Sequence, residues 1–304
     1  MEIDTRFPTR LNAVSDAPEP LRSVLTESLP SGASPRLLLH APAFSTEDEK
    51  SPATVLAVTN NGWLVASETV DGGASLKKSD FTDTLFVELT SIFLLGQLRI
   101  SFAAADRSDS ATIKFETVGD EFYREAIDLI LAGIDPSLTV VAEKGRNEAS
   151  MFEAWPMKIR NEAQRYWPAG QRSLAALHWV AIFDESQRQL TPAGALLITE
   201  REVVLISEEI KTSAEPGAEA PSTEELEESS GGIITFVPRV RLANFRVSRQ
   251  EGLDVLALQV RAAHGGEKLE IVFPPDDERA VAKALEQVLP SRGSATQTSG
   301  EKLV

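Results

Sequence analysis

One feature limits what this chain can fold into more than any other: it repeats itself. Pro30-x-Gly32 lies ten residues before His40, and Pro168-x-Gly170 lies ten residues before His178, counted from the prolines. Residues 52–68 align with 192–208 over 17 positions without a gap. Pro, Ala, Leu, Thr, Ser and Glu are identical there, and most of the rest exchange one apolar residue for another. Val87-x-Leu89-x-x-Ile92 parallels Val240-x-Leu242-x-x-Phe245. After Phe115, residues Phe122, Ala126, Ile127, Ile130 and Leu131 match Ala280, Ala284, Leu285, Val288 and Leu289 after Phe273, at identical offsets. Four matches in the same order imply a duplicated unit.

Each copy reads as short strands followed by one helix. In the first, 37–44, 54–59, 63–67, 85–89, 92–95, 98–103 and 111–116 are apolar and partly β-branched, which favours strands. Asn60-Asn61-Gly62 between two of them is a hairpin signal. Residues 120–131 switch to helical spacing, with one apolar stripe and Asp120-Glu121 where carboxylates favour the helix dipole. The second copy gives strands at 174–183, 195–199, 203–207, 233–237, 244–248, 253–262 and 269–273. Pro274-Pro275 stops the last one, and Asp276-Asp277-Glu278 opens a helix to Leu289.

This order, about seven strands and a closing helix in each copy, resembles that of pleckstrin-homology-like (PH-like) domains, particularly small bacterial members with minimal loops. The resemblance covers about 30–135 and 168–290. It implies an α+β, mainly β chain of two PH-like barrels. A helical preface fills 1–29, a helical linker 136–167, and a disordered tail 291–304. Phe7-Pro8-Thr9-Arg10-Leu11 resembles Trp155-Pro156-Met157-Lys158-Ile159, so the duplicated unit is expected to include the preface. Residues 208–230 interrupt the second copy with an acidic, Pro- and Gly-containing insert that is too polar to offset its ordering entropy, so disorder is expected there.

Charge and motifs narrow the function. With 30 Lys and Arg against 46 Asp and Glu, the net charge is −16. That disfavours nucleic acid and anionic membrane surfaces. Lipid-binding PH-like domains carry basic residues in the loop after the first strand; here those loops are Ser45-Thr46-Glu47-Asp48-Glu49-Lys50 and Asp184-Glu185-Ser186-Gln187-Arg188, so phosphoinositide binding is not expected. The closing helices also lack the Trp common in that family. The chain has no cysteine, hence no disulfide, thiolate chemistry or Cys-ligated metal. The first residues have no signal-peptide pattern, and no run approaches the roughly 18 apolar residues of a membrane span, so a cytoplasmic location is expected. His40 and His178 occupy equivalent positions but lack the paired spacing of metal ligands. Nucleophile-elbow, dinucleotide and phosphate-loop motifs are absent. Lys77-Lys78 and Arg239-x-Arg241 read as solvated strand faces.

The expectation is a non-enzymatic adaptor that binds protein, or itself, with no cofactor and no metal. The alternatives are lipid docking, and a small-ligand or enzymatic site between the barrels. Strand alternation from Ile92 puts Ile92, Leu94, Gly96, Leu98, Ile100 and Phe102 inside and Phe93 and Leu95 outside. With the aromatic linker residues Trp155 and Trp167, Phe93 and Leu95 form the expected interaction surface.

Overall fold

The computed structural model describes residues 7–29, 34–45, 50–92, 94–105, 107–136, 151–167, 171–186, 188–208 and 231–289. The expected disordered insert, 208–230, lies outside these apart from Glu208, and so does the expected tail, 291–304. Among the described residues the chain is mainly β, and no helix is long and apolar enough to cross a membrane.

The first half carries β1 (Thr9–Arg10), α1 (Leu21–Ser28), β2 (Leu37–Ala41), β3 (Phe44–Ser45), β4 (Lys50–Ser51), β5 (Thr54–Val58), β6 (Gly62–Glu68) and β7 (Ala74–Asp80). After a 3₁₀ turn at Phe81–Asp83 come β8 (Thr84–Ile92), β9 (Leu95–Ala104), β10 (Arg107–Glu116) and α2 (Asp120–Ile134). The linker holds α3 (Met157–Arg165). The second half carries β11 (Ser173–Trp179), β12 (Ile182–Phe183), β13 (Gln189–Thr191), β14 (Gly194–Thr199), β15 (Glu202–Glu208) and β16 (Gly231–Pro238). A 3₁₀ turn at Arg239–Arg241 leads to β17 (Leu242–Gln250), β18 (Leu253–Ala262), β19 (Gly265–Phe273) and α4 (Glu278–Glu286).

Strand register shows which elements repeat. β8, β9 and β10 recur as β17, β18 and β19, each starting 158 residues later (242 − 84, 253 − 95, 265 − 107). Both first hairpins carry an irregularity at the same place, between Thr84 and Phe86 and between Leu242 and Asn244. His40 faces Val55 across β2·β5 as His178 faces Ala195 across β11·β14. The expected match of Val87-x-Leu89-x-x-Ile92 to Val240-x-Leu242-x-x-Phe245 is five residues out of register and is corrected: the counterpart of Val87 is Phe245.

Two strand expectations also change. β7 lies outside the expected strand ranges, although Lys77-Lys78 within it reads as a strand face, and 92–95 is the turn region of the β8–β9 hairpin, with Ile92 paired to Leu95. That hairpin resets the alternation. Leu98, Ile100 and Phe102 are buried as expected, whereas Leu94 is 72% exposed and Ile92 half-buried.

Closed barrels do not form. The principal sheets are open: β1-β2-β5-β6-β7, β17-β18-β19, and a seven-stranded sheet β10-β9-β8-β16-β15-β14-β11 that runs from one half of the molecule into the other. The reason lies at β8. Its outer edge is taken by β16 of the second half, from Gly231 opposite Ile92 to Phe236 opposite Val87.

Packing follows from this fusion. Leu196, Ile198, Val203 and Leu205 point into the second core with Leu256, Leu258, Phe273 and Leu285. Ala195, Leu197, Val204 and Ile206 point the other way, into the core that holds α2, Phe152, Trp155 and Ile159. Burial on both faces explains why β14 and β15 are continuous apolar runs without alternation. The equivalent outer residues of the first half, Val55, Ala57, Leu64 and Ala66, are covered by Leu11, Leu21 and Leu25 of the N-terminal segment. α1 and α3 thus cover the equivalent outer faces.

Candidate interaction surface

The joint between the halves is built from main chain and reinforced by charge. The 3₁₀ turn before β17 aims Arg241 back at the first half, where its guanidinium donates to the carbonyls of Thr84 (3.0 Å) and Phe81 (2.8 Å). Arg239 donates to Glu200 O at 2.8 Å. On the sheet surface Arg99 of β9 lies between two carboxylates, Glu88 at 3.7 Å and Glu267 of β19 at 3.3 Å. Ser101 donates to the same Glu267, and Thr235 of β16 donates to Glu88. The outer face of the β8–β9–β10 sheet therefore receives an acidic side chain from the following repeat.

Two buried polar clusters fix the helices and hairpins around this joint. The Asp120 carboxylate, at the start of α2, accepts from Arg165 (2.7 Å) and from the Tyr166 hydroxyl (2.9 and 3.0 Å). Burial pushes the Tyr166 phenol well above its ordinary range, so it stays a donor. At the β14–β15 turn, Arg201 pairs with Glu202, and Thr199 and Gln171 complete the cluster. Burial raises the Glu202 carboxyl, with Arg201 opposing the shift, and burial likewise raises Asp128.

The second half keeps its equivalent sheet open. β17 and β7 are end strands of their sheets, although their counterparts, β8 and β16, are paired with each other. The outer face of β17–β18–β19 forms a groove of about 470 Å³, lined by Asn244, Arg246, Ser248, Gln259, Lys268 and Glu270 among others. Its volume is in the range of small binding sites. Three cations reach it, Arg246, Arg249 and Lys268; Arg249 is held at 3.1 Å from Asp254, and Lys268 pairs with Glu270. Arg246 is exposed. A cationic groove on a chain of charge −16 is a local inversion of sign.

The residues singled out from sequence are not gathered here. Phe93 lies outside the described residues. Leu95 is half-buried at the start of β9, opposite Glu116. Trp155 is buried inside the shared core, 4.7 Å from the Phe152 ring and 5.2 Å from the His178 ring, and so offers no exposed face. Trp167 is half-buried against the same core and donates to the Gln171 carbonyl at 3.3 Å. His40 is buried, which lowers its pKa, and its Nε2 has no hydrogen-bond partner among the described residues. Among the described residues no cluster of His, Asp and Glu could hold a metal ion.

Arg246, Arg249 and Lys268 were missed from sequence. The signal was the alternation of Asn244, Arg246 and Ser248 with Phe245 and Val247, which marks a strand with one solvated face. Lys77 was singled out and does lie on a strand, where it donates to Asp109 at 2.8 Å. In comparison with known proteins, no family model matches the chain and no curated protein matches it.

Proposed function

We propose that this chain is a non-enzymatic adaptor made of two PH-like units, and that it engages a protein through the open three-stranded sheet of the second unit. The order of four strands, three strands and a helix, met twice, supports the PH-like reading. The single observation that carries the binding reading is the asymmetry of one edge. The β8 edge is occupied by a strand of the same chain, while its counterpart β17 is, among the described residues, an end strand with no strand on its outer side, beside a cationic groove. An open edge offers main-chain hydrogen bonds, and the groove supplies side-chain selection.

The test is co-purification from the native host with three forms of the full chain: wild type, R246E/K268E and R22E. Arg22 lies on α1 and is paired with Glu19, so R22E is the control for a charge change elsewhere. Wild type and R22E should recover the same partner, and R246E/K268E should recover about tenfold less, the equivalent of roughly 1.4 kcal/mol. Equal recovery by all three would refute the reading.

A further inference from the structure

We propose that β17 of one molecule pairs with β7 of a second copy, repeating between molecules the β8·β16 joint that unites the halves within one. This rests on the protein-binding reading above and names the partner of that same surface. Within the chain, the fifth main strand of the first repeat (β8) pairs with the fourth main strand of the second (β16). Repeating that step pairs the fifth main strand of the second repeat with the fourth of the next copy, and these two are end strands of their sheets among the described residues. Carried over by the 158-residue offset, the register puts Leu76 opposite Val247, where Ile234 faces Leu89, and Ser75 opposite Ser248, where Ile233 faces Thr90.

The charges extend the correspondence. The register also puts Lys77 opposite Arg246, and two cations alone would oppose pairing. But Lys77 already holds Asp109, and Asp109 on β10 is the counterpart of Glu267 on β19. In the internal joint Glu267 reaches Arg99 and Ser101 of the preceding repeat. In the intermolecular joint Asp109 would lie between Lys77 and Arg246, with Gln259 in the place of Ser101 as donor. The internal joint alternates acid, base, acid (Glu88, Arg99, Glu267); the external one alternates base, acid, base. The contact is head-to-tail, so it leaves an open edge at each end and builds a ring or a filament rather than stopping at a dimer. The edge cations also explain selectivity, because charged edge strands reject pairing that lacks a matching acid.

The experiment is sedimentation velocity on the full chain over a concentration series, with R246E, D109K and the double variant R246E/D109K. Arg246 is exposed and Asp109 half-buried, so the fold should survive, which the melting temperature checks. Wild type should grow beyond two copies of 33.0 kDa as concentration rises. Each single variant should raise the concentration needed by about tenfold, and the charge swap should recover most of that loss. A mass of 33.0 kDa at every concentration would overturn the proposal, as would assembly that both single variants leave unchanged. If the mass stays at one copy while R246E/K268E still loses a co-purifying protein, self-pairing falls and the protein-binding reading stands. If neither is seen, both fall.

Discussion

The two three-stranded sheets of this molecule share one register and have opposite fates. In β8–β9–β10, Phe86 on the outer face is fully buried in the second core, and the β8 edge is paired to β16. In β17–β18–β19 the equivalent position is Asn244, exposed and lining a groove, and the β17 edge is open. The strands differ less in propensity than in what their outward positions ask for. Apolar residues at equivalent positions hold the two repeats together; polar and cationic ones leave a surface. One edge thus serves internal cohesion, and its equivalent is an end strand among the described residues.

The comparison is broken most directly across the joint. Phe236 on β16 is buried in the shared core, and its counterpart on the open strand β7 is Lys78. Phe236→Ala should cost about 3–5 kcal/mol of unfolding free energy. Lys78→Ala should stay within about 0.5 kcal/mol. Chemical denaturation of the two variants measures both, and similar costs would show that the two edges are not in different environments. The Arg241 clamp comes next. Arg241→Ala removes donation to two carbonyls of the first half, and a loss of about 1.5–3 kcal/mol is expected, the range for hydrogen bonds from a charged donor. No loss in the same assay would remove this contact from the joint.

A smaller effect separates the repeats by pH. Burial holds His40 below its ordinary 6.5, so the unfolded chain takes up that proton first. The stability contributed by the neutral ring is then lost as pH falls through 6.5, at up to about 1.4 kcal/mol per pH unit. Glu202 works in reverse. Burial raises its carboxyl above the ordinary 4.5, so the unfolded chain releases its proton first and stability is lost as pH rises from 4.5. Melting curves between pH 4.5 and 7.5 should show H40Q flattening the loss on the acid side of 6.5, and E202Q flattening the loss above 4.5. Superimposable curves for wild type and both variants would contradict these assignments.

What the sequence made legible, and what it hid, follows from where each signal resides. β14 and β15 were readable because burial on both faces makes them unbroken apolar runs. β7 was not, because Leu76 is its one large apolar residue and only one of its faces meets a core. Residues 92–95 misled because an apolar run at a hairpin looks like a strand. A five-residue slip in the repeat still aligns, because apolar residues recur so often along strands that a shifted register finds matches. The joint itself was invisible. Pairing between strands 139 residues apart at their ends (231 − 92) leaves no local pattern in either. The groove was half-legible: alternation marks a solvated face from Asn244 to Ser248, but Lys268 reaches the same groove from β19, and sequence order does not show that they meet.

Amide hydrogen exchange on the two equivalent strands, Thr84–Ile92 and Leu242–Gln250, tests the central asymmetry most directly. The measurement belongs at a dilution where sedimentation gives a single copy. From Val87 to Ile92 β8 has a strand on both sides and should be protected over that stretch. Among the described residues β17 has one partner strand, β18, so its outward amides should exchange fast, with about half of the strand protected. Equal protection of the two strands in the monomer, or fast exchange along β8 and β16, would contradict the fused sheet and the open edge together.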